Sequence, residues 1–381
     1  MQVLTVANHL GARGGLERTQ LSMAGALSAR GHDLHLLYVT PGDFAEEWRK
    51  FVTSMVRVRA TLPRRSDPFS STLGAARAIL TAVRRRPDVI LVYRYWDVPL
   101  AVVAGAIARA PAVLYLCLPP PRSVPWWMRW ALSRLSAVIA VSADTARRWH
   151  GLGPKEERVS VVLTGIDMEA FAPATPAERT STRRALGLLP EEFVVVYAGR
   201  IGREKGVDLF LRAGHLLAEE LPDLRLVVAG GPSLGADPHD SERFGAELRQ
   251  LAGGLPVMWL GPRSDVKDLL AAADVAVVPS LWPEPLARSV IEPLACGVPV
   301  VATGVGGTPE LLTGWLSDFL VPPEPDELAK RVQLLHGWRR SDPGLGDRCR
   351  QAVCGRLSLD READDVEALL NSLLRRRSSA A

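Results

Sequence analysis

The chain has 381 residues, 47% of them hydrophobic and 23% charged, a composition that excludes a disordered, collagen-like or disulfide-scaffold protein and leaves room for two or three domains. A formal net charge of +4 conceals an asymmetry, because residues 1–173 hold 22 Lys/Arg against 13 Asp/Glu while the remainder hold 24 against 29. Only five of the 46 basic residues are lysines (Lys50, Lys155, Lys205, Lys267, Lys330), an arginine skew in keeping with a GC-rich genome, so each lysine stands out.

The first residues, Met1–Ala7, lack the basic leader of a signal peptide and read as a buried strand. The longest apolar stretch, Val98–Leu118, is broken by Arg109 and Pro111 and falls short of the ~20 residues of a membrane-spanning helix. A cytoplasmic protein is the expectation. Short apolar runs then alternate with amphipathic segments, the pattern of parallel sheets covered by helices on both faces. Strands are predicted at Gln2–Ala7, Asp33–Tyr38, Val56–Ala60, Val89–Tyr93, Ala112–Cys117, Ala137–Val141 and Val159–Leu163. After a polar stretch from Ala172 to Thr182 a second series follows, at Phe193–Ala198, Leu224–Ala229, Val257–Leu260, Val275–Pro279, Val300–Ala302 and Phe319–Val321. Two Rossmann-like domains result, 1–173 and 174–357. Residues 358–381 form a C-terminal helix, predicted near Asp360–Leu374, that packs back on the first domain and ends in the basic tail Arg375-Arg376-Arg377-Ser378-Ser379. The four cysteines (Cys117, Cys296, Cys349, Cys354) form no C-x-x-C pair and read as buried or inert thiols, so no metal site is expected.

Ligands of open parallel sheets gather at the carboxyl ends of strands, and two such sheets place them in the cleft between domains. Three segments follow strands and carry chemistry. Gly11-Ala12-Arg13-Gly14-Gly15-Leu16-Glu17-Arg18 opens a helix, where glycines and free N–H groups favour an anion; a plain tight connection explains it equally well. It is not a dinucleotide fingerprint, since G-x-G-x-x-G is absent. Gly199-Arg200-Ile201-Gly202-Arg203-Glu204-Lys205-Gly206 sets Arg200 and Lys205 five residues apart, able to converge on one diphosphate; the alternative is a solvated basic loop. In Pro279-Ser280-Leu281-Trp282-Pro283-Glu284, followed by a helix holding Glu292, the two carboxylates could hold pairs of hydroxyls such as those of a ribose or a hexose, or could be unrelated surface charges.

Together these residues resemble the retaining enzymes of glycosyltransferase family 4, which have the GT-B fold. Gly199-Arg200…Glu204-Lys205-Gly206 is similar to the family's G-R-x-x-x-x-K-G loop. Trp282-x-Glu284…Glu292-x-x-Ala295-x-Gly297-x-Pro299 is similar to its E-x7-E signature, and Gly306-Gly307-Thr308-Pro309-Glu310 to the G-G-x-x-E that follows. Leu260-Gly261, Asp274-Val275, Gly14-Gly15…Gly31-His32, Val141-Ser142 and Thr164-Gly165-Ile166-Asp167…Phe171-x-Pro173 extend the resemblance over nearly the whole chain.

The resemblance implies two parallel-sheet domains facing a central cleft and a nucleotide-sugar donor, a UDP- or GDP-sugar, on the second domain. Arg200 and Lys205 would hold the diphosphate and Glu292 the ribose. Glu284 would touch the donor sugar, backbone N–H groups around Leu286, Ala287 and Arg288 would hold sugar or phosphate oxygens, and Pro262 and Arg263 would pack the base. Gly15 would also serve the donor; no cofactor and no metal is implied. Candidates on the acceptor side are Gly14, His9 and Cys117, His9 having the alternative of a hydrogen-bonded loop histidine. The family often has Gly at the place of Ala287, and many members carry a His just after the fifth strand, where this chain reads Tyr115-Leu116-Cys117-Leu118-Pro119-Pro120. The expected activity is sugar transfer with retention to a hydroxyl of a small molecule, glycan or lipid-linked acceptor. Its alternatives are a silent sugar-nucleotide-binding subunit and a nucleotide-sugar epimerase on the same fold. No nucleic-acid partner is expected, because the basic excess comes without a known reading motif. Arg64-Arg65, Arg84-Arg85-Arg86 and Pro125-Trp126-Trp127-Met128-Arg129-Trp130 combine cations with interfacial aromatics, as peripheral contact with an anionic membrane would require. The alternative there is a solvated arginine surface with the tryptophans in the core or lining an acceptor cleft.

Overall fold

The structure is a computed structural model that describes residues 1–11, 14–63, 67–232 and 237–378. Two parallel sheets, of seven and six strands, are present among the described residues. The chain divides into two units, one of Met1–Gly165 with Leu359–Ala381 and one of Ile166–Ser358.

In the first unit the strands are β1 (Gln2–His9), β2 (Asp33–Thr40), β3 (Ser54–Arg57), β4 (Val89–Val92), β5 (Ala112–Leu116), β6 (Ala137–Ala140) and β7 (Val159–Val161). They lie in the order β3-β2-β1-β4-β5-β6-β7. The inner strands are apolar without alternation, Val-Ile-Leu-Val in β4 for example, because helices cover both faces. The helices between them are α1 (Gly15–Ala29), α2 (Ala45–Phe51), α3 (Pro68–Arg84), α4 (Val98–Ala108), α5 (Trp126–Ser133) and α6 (Ala143–Trp149). Right-handed crossovers send α1 and α2 to one face and α3, α4 and α5 to the other, since the strand order reverses between β1 and β4. The packing agrees: α3 lies on α4 and α4 on α5, and Ala78, Ala82, Leu100, Ala104, Met128 and Leu132 share one core cluster with Leu4, Ile90 and Leu114.

In the second unit β8 (Phe193–Ala198), β9 (Leu224–Ala229), β10 (Val257–Gly261), β11 (Val275–Val278), β12 (Val300–Thr303) and β13 (Leu320–Val321) lie in the order β10-β9-β8-β11-β12-β13. Its helices are α7 (Pro176–Ala185), α8 (Val207–Glu220), α9 (Pro238–Leu251), α10 (Val266–Ala272), α11 (Arg288–Ala295), α12 (Thr308–Leu311), α13 (Pro325–Gln333), α14 (Trp338–Ser341) and α15 (Leu345–Cys354). The order reverses between β8 and β11, which makes their carboxyl ends the crevice where such a sheet takes a ligand. At the opposite end of β11, the carboxylate of Asp274 accepts from Arg179 (2.6 Å), Arg183 (2.6 Å) and Arg339 (3.0 Å), tying α7 and α14 to the sheet.

The division between the units falls at Gly165/Ile166 and not near residue 173. Ile166 N–H donates to Leu357 O at 3.0 Å, and Arg350 donates to Met168 O and Phe171 O, so residues 166–171 are held by the second unit. The last helix, α16 (Leu359–Ser378), belongs to the first unit and packs on α1. Glu362 in its first turn is buried and accepts from Tyr115 Oη and, at 2.8 Å, from Gly165 N–H. Arg30 and His32 bind Asp364 (2.9 Å) and Glu367 (3.0 Å) further along. Ser379 of the basic tail, Ala12 and Arg13 of the first glycine segment, and Arg64-Arg65 lie outside the described residues.

Candidate functional site

β8 ends at Ala198 and β11 at Val278, and the loops after them carry the second and third motifs. The two loops are stitched together, Leu281 N–H donating to Glu204 O at 2.9 Å. Gly206, in the left-handed region at φ +68°, approaches Pro279 so closely that a Cβ would lie 1.9 Å from its carbonyl oxygen. Geometry and space both demand glycine there. A third loop, residues 304–307, wraps Glu284. Gly307 N–H donates to Glu284 O at 2.7 Å, and a Cβ on Gly306 (φ +60°) would fall 2.2 Å from that oxygen.

Held in this way, Glu284 is buried, and its carboxylate pairs with Lys205 Nζ and accepts from Ser280 Oγ at 2.9 Å. Ser280 O in turn accepts from Thr303 Oγ1 at 2.5 Å, and Lys205 Nζ stands 5.5 Å from the Trp282 ring. Two residues that the family resemblance assigns to different parts of a ligand are therefore joined to each other. The Arg200 guanidinium makes no hydrogen bond or ion pair among the described residues, although its carbonyl accepts from Tyr197 Oη. Burial, and then the negative charges of Glu284 and Glu204, hold that phenol above its ordinary pKa.

One turn further, Arg288 Nε donates to Glu292 Oε1 at 3.2 Å across the i,i+4 spacing of α11, while Arg288 Nη1 is buried with no partner among the described residues. Ala287 caps α11 with no side-chain hydrogen bond, so Leu286, Ala287 and Arg288 present the positive start of the helix. A small cavity between β8, β11 and α11 is lined by Val196, Ala198, Val278, Ser289 and Glu292. Burial, reinforced by the Glu292 charge, pushes the Cys296 thiol up to about 12. Arg263 follows β10, where its Nε donates to Asp265 Oδ1 at 2.8 Å.

In the first unit, Gly14 caps α1 and Gly15 is the first residue of that helix. The Gly14 backbone is extended (φ 175°), a conformation open to any residue. His9 is not a loop histidine: it closes β1, in register with Thr40. Cys117 follows β5, and burial, then the charges of Glu362 and Glu17, raise its thiol well above its ordinary range, which removes it as a thiolate at neutral pH. Two features near these positions have no trace in local sequence. Glu17 on α1 is buried and pairs with Arg94, 77 positions away, and Arg94 lies over the Trp96 ring. Asp97 is fully buried, accepts from Asn8 at 2.7 Å, and is pushed up to about 6 chiefly by burial. Among the described residues, no group of three or more His, Cys, Asp or Glu is placed to hold a metal ion.

Comparison with known proteins meets this geometry. The family described as "Glycosyl transferases group 1" matches residues 178–340, and "Glycosyltransferase Family 4" matches 13–170. The lipopolysaccharide core biosynthesis mannosyltransferase LpsB of Rhizobium meliloti is 30% identical over 257 residues, 65% of this chain and 69% of that protein. This chain belongs to the glycosyltransferases. Another member, the alpha-maltose-1-phosphate synthase of Mycolicibacterium smegmatis, is 37% identical over 205 residues, and the match spans about half of each protein (51% and 51%). In three dimensions this glycosyltransferase chain is similar to HepE of Anabaena, solved in complex with UDP, with a TM-score of 0.82, 23% identity and coverage of 98% of this chain and 100% of that one. That likeness carries the fold, two Rossmann-like domains of the GT-B class.

Proposed function

We propose that this protein transfers a sugar from a nucleoside-diphosphate donor, a UDP- or GDP-sugar, to a hydroxyl of a small-molecule, glycan or lipid-linked acceptor, with retention of configuration. The observation that carries the reading is the buried Lys205–Glu284 pair beside the uncapped start of α11, at the carboxyl ends of β8 and β11. Lys205, Arg200 and the helix start neutralise the leaving diphosphate without a bound metal, and Glu292 takes the ribose hydroxyls. Glu284 touches the transferring sugar, whose anomeric carbon gains positive charge as the bond to phosphate breaks. The acceptor hydroxyl attacks from the face the diphosphate leaves and passes its proton to the departing oxygen, so no protein nucleophile is needed. The activities named for the mannosyltransferase and the maltose-phosphate synthase support sugar transfer, and the UDP of the HepE complex supports a uridine donor.

The test is donor turnover without acceptor, followed by proton NMR over a panel of UDP- and GDP-sugars. The reading expects slow release of free sugar whose first-formed anomer matches the donor. Failure of every donor to turn over or bind, or release of the opposite anomer, overturns it.

A further inference from the structure

Three helices on one face of the first unit expose apolar side chains in register. On α3, Phe69, Leu73 and Leu80 stand out at helical spacing, Phe69 being 84% exposed, and Arg77 and Arg84 continue the same stripe. On α4, Val103 and Ile107 (61%) do the same beside it. On α5, Met128, Ala131 and Leu132 turn into the core, while Trp126 (81%), Trp127 and Trp130 point outward with Arg129 and Arg134. The tryptophans are thus not core residues, which corrects that alternative from the sequence. Isolated exposed apolar residues are ordinary in globular proteins, but a row of them on three adjacent helices is a contact surface.

The charge around it names the partner. Helices α3, α4 and α5 contain no acidic residue, and residues 68–134 hold nine arginines against two aspartates, a net of +7, or +6 once Arg94 is set against its partner Glu17. Both aspartates are committed inside the fold, Asp88 to Gln2 N–H at 2.8 Å and Asp97 to Asn8. The acidic residues of α16 are on a helix that packs on α1, in the layer across the sheet. A second copy docked by the same face would set arginine against arginine. A layer of anionic headgroups over hydrocarbon matches both features at once, cations at headgroup depth and indole rings at the interface. Among the described residues no helix is long and apolar enough to cross a membrane.

We propose that the α3–α4–α5 face of the first unit docks on anionic lipid bilayers, inserting Trp126, Trp127 and Trp130 among the headgroups. The proposal stands on this unit alone and is independent of the sugar-transfer reading.

It is tested by co-sedimenting the full-length protein with vesicles of phosphatidylcholine alone and of phosphatidylcholine mixed with phosphatidylglycerol. The salt series should shorten the screening length from ~30 Å to ~3 Å. Two variants change only exposed side chains: Trp126→Ser with Trp130→Ser, and Arg77→Glu with Arg84→Glu. Leu334→Ser, an exposed apolar position of the second unit, is the control. Binding to the mixed vesicles alone, falling with salt, is expected. The tryptophan pair should weaken it by about tenfold or more. Each arginine reversed should weaken it by about fivefold or more. Wild-type melting temperature and donor turnover in these variants would show that the fold is intact. The proposal is overturned by no binding to the mixed vesicles, by equal binding to both vesicle types, or by binding that neither double variant reduces. A concentration-dependent dimer that both variants abolish, with no lipid binding, would assign the face to a second copy instead.

Discussion

Replacing Glu284 with glutamine separates two roles that the Lys205–Glu284 pair combines. The side chains of both residues are mostly buried, 14% and 11% exposed, and the carboxylate has Ser280 as its second partner. In the free protein Glu284 therefore competes with any phosphate for Lys205. The amide keeps the shape and can still accept from Ser280, but it removes one negative charge next to the place where the diphosphate would sit. Two unit charges ~4 Å apart interact by roughly 4 kcal/mol at an effective dielectric constant of ~20. That is an upper bound, because solvent and salt share the site once it opens. Even a third of it, about 1.4 kcal/mol, tightens nucleoside-diphosphate binding about tenfold. The same substitution removes the carboxylate proposed to touch the transferring sugar, so kcat with saturating donor should fall while the free diphosphate binds better. Calorimetric titration of UDP and GDP into wild type and Glu284→Gln reads the first effect, and donor turnover the second. Unchanged or weaker diphosphate affinity in the variant would refute the reasoning that Glu284 competes for Lys205.

Glu292→Ala should weaken binding of the free diphosphate and of the sugar nucleotide by similar factors, because the proposed function gives it the ribose common to both; a loss confined to the sugar nucleotide, read by calorimetry, would place Glu292 elsewhere. Asp274→Ala strands three arginines and should cost about 3–5 kcal/mol, lowering the melting temperature of the full chain by roughly 10 °C. Asp97 has a folded pKa of about 6, above its ordinary value of 3.8, so the folded state holds the extra proton between those values and stability falls as pH rises through that window. Asp97→Asn should then stabilise the protein by about 2–3 kcal/mol at pH above 7 and flatten the pH dependence between 4 and 6, measured by urea unfolding; a variant less stable than wild type at high pH would show that Asp97 earns its burial through its charge.

Much of the fold is legible because parallel strands buried on both faces write themselves as apolar runs: the strand at Phe193–Ala198 is predicted and observed with the same ends. The largest shift, β3 at Ser54–Arg57 against a predicted Val56–Ala60, falls on an edge strand of four residues whose burial is partial and whose pattern is correspondingly faint. The domain boundary was harder to read because the polar stretch marks the start of α7, whereas the transfer to the second unit is made earlier by long-range bonds from Leu357 and Arg350. The loops at the candidate site are legible from their glycines and lone lysine. The pairing of Lys205 with Glu284, 79 positions apart, is not, because nothing local records which charges meet when three successive crossovers bring β11 beside β8. Glu17 and Arg94 are hidden for the same reason. The tryptophans of α5 show the converse limit: an indole at helical spacing is written alike whether it faces core or solvent, and only the burial of Met128, Ala131 and Leu132 settles which face turns out.

Calorimetric titration of UDP and GDP into wild type and Lys205→Ala tests the central claim, a diphosphate held by the loop between β8 and α8. Wild type should bind at least one of the two, and Lys205→Ala should bind it ~10–100-fold more weakly, the ~1.5–3 kcal/mol of one charge-assisted contact. Equal affinity in the two proteins, or no binding of either diphosphate to wild type, would contradict it.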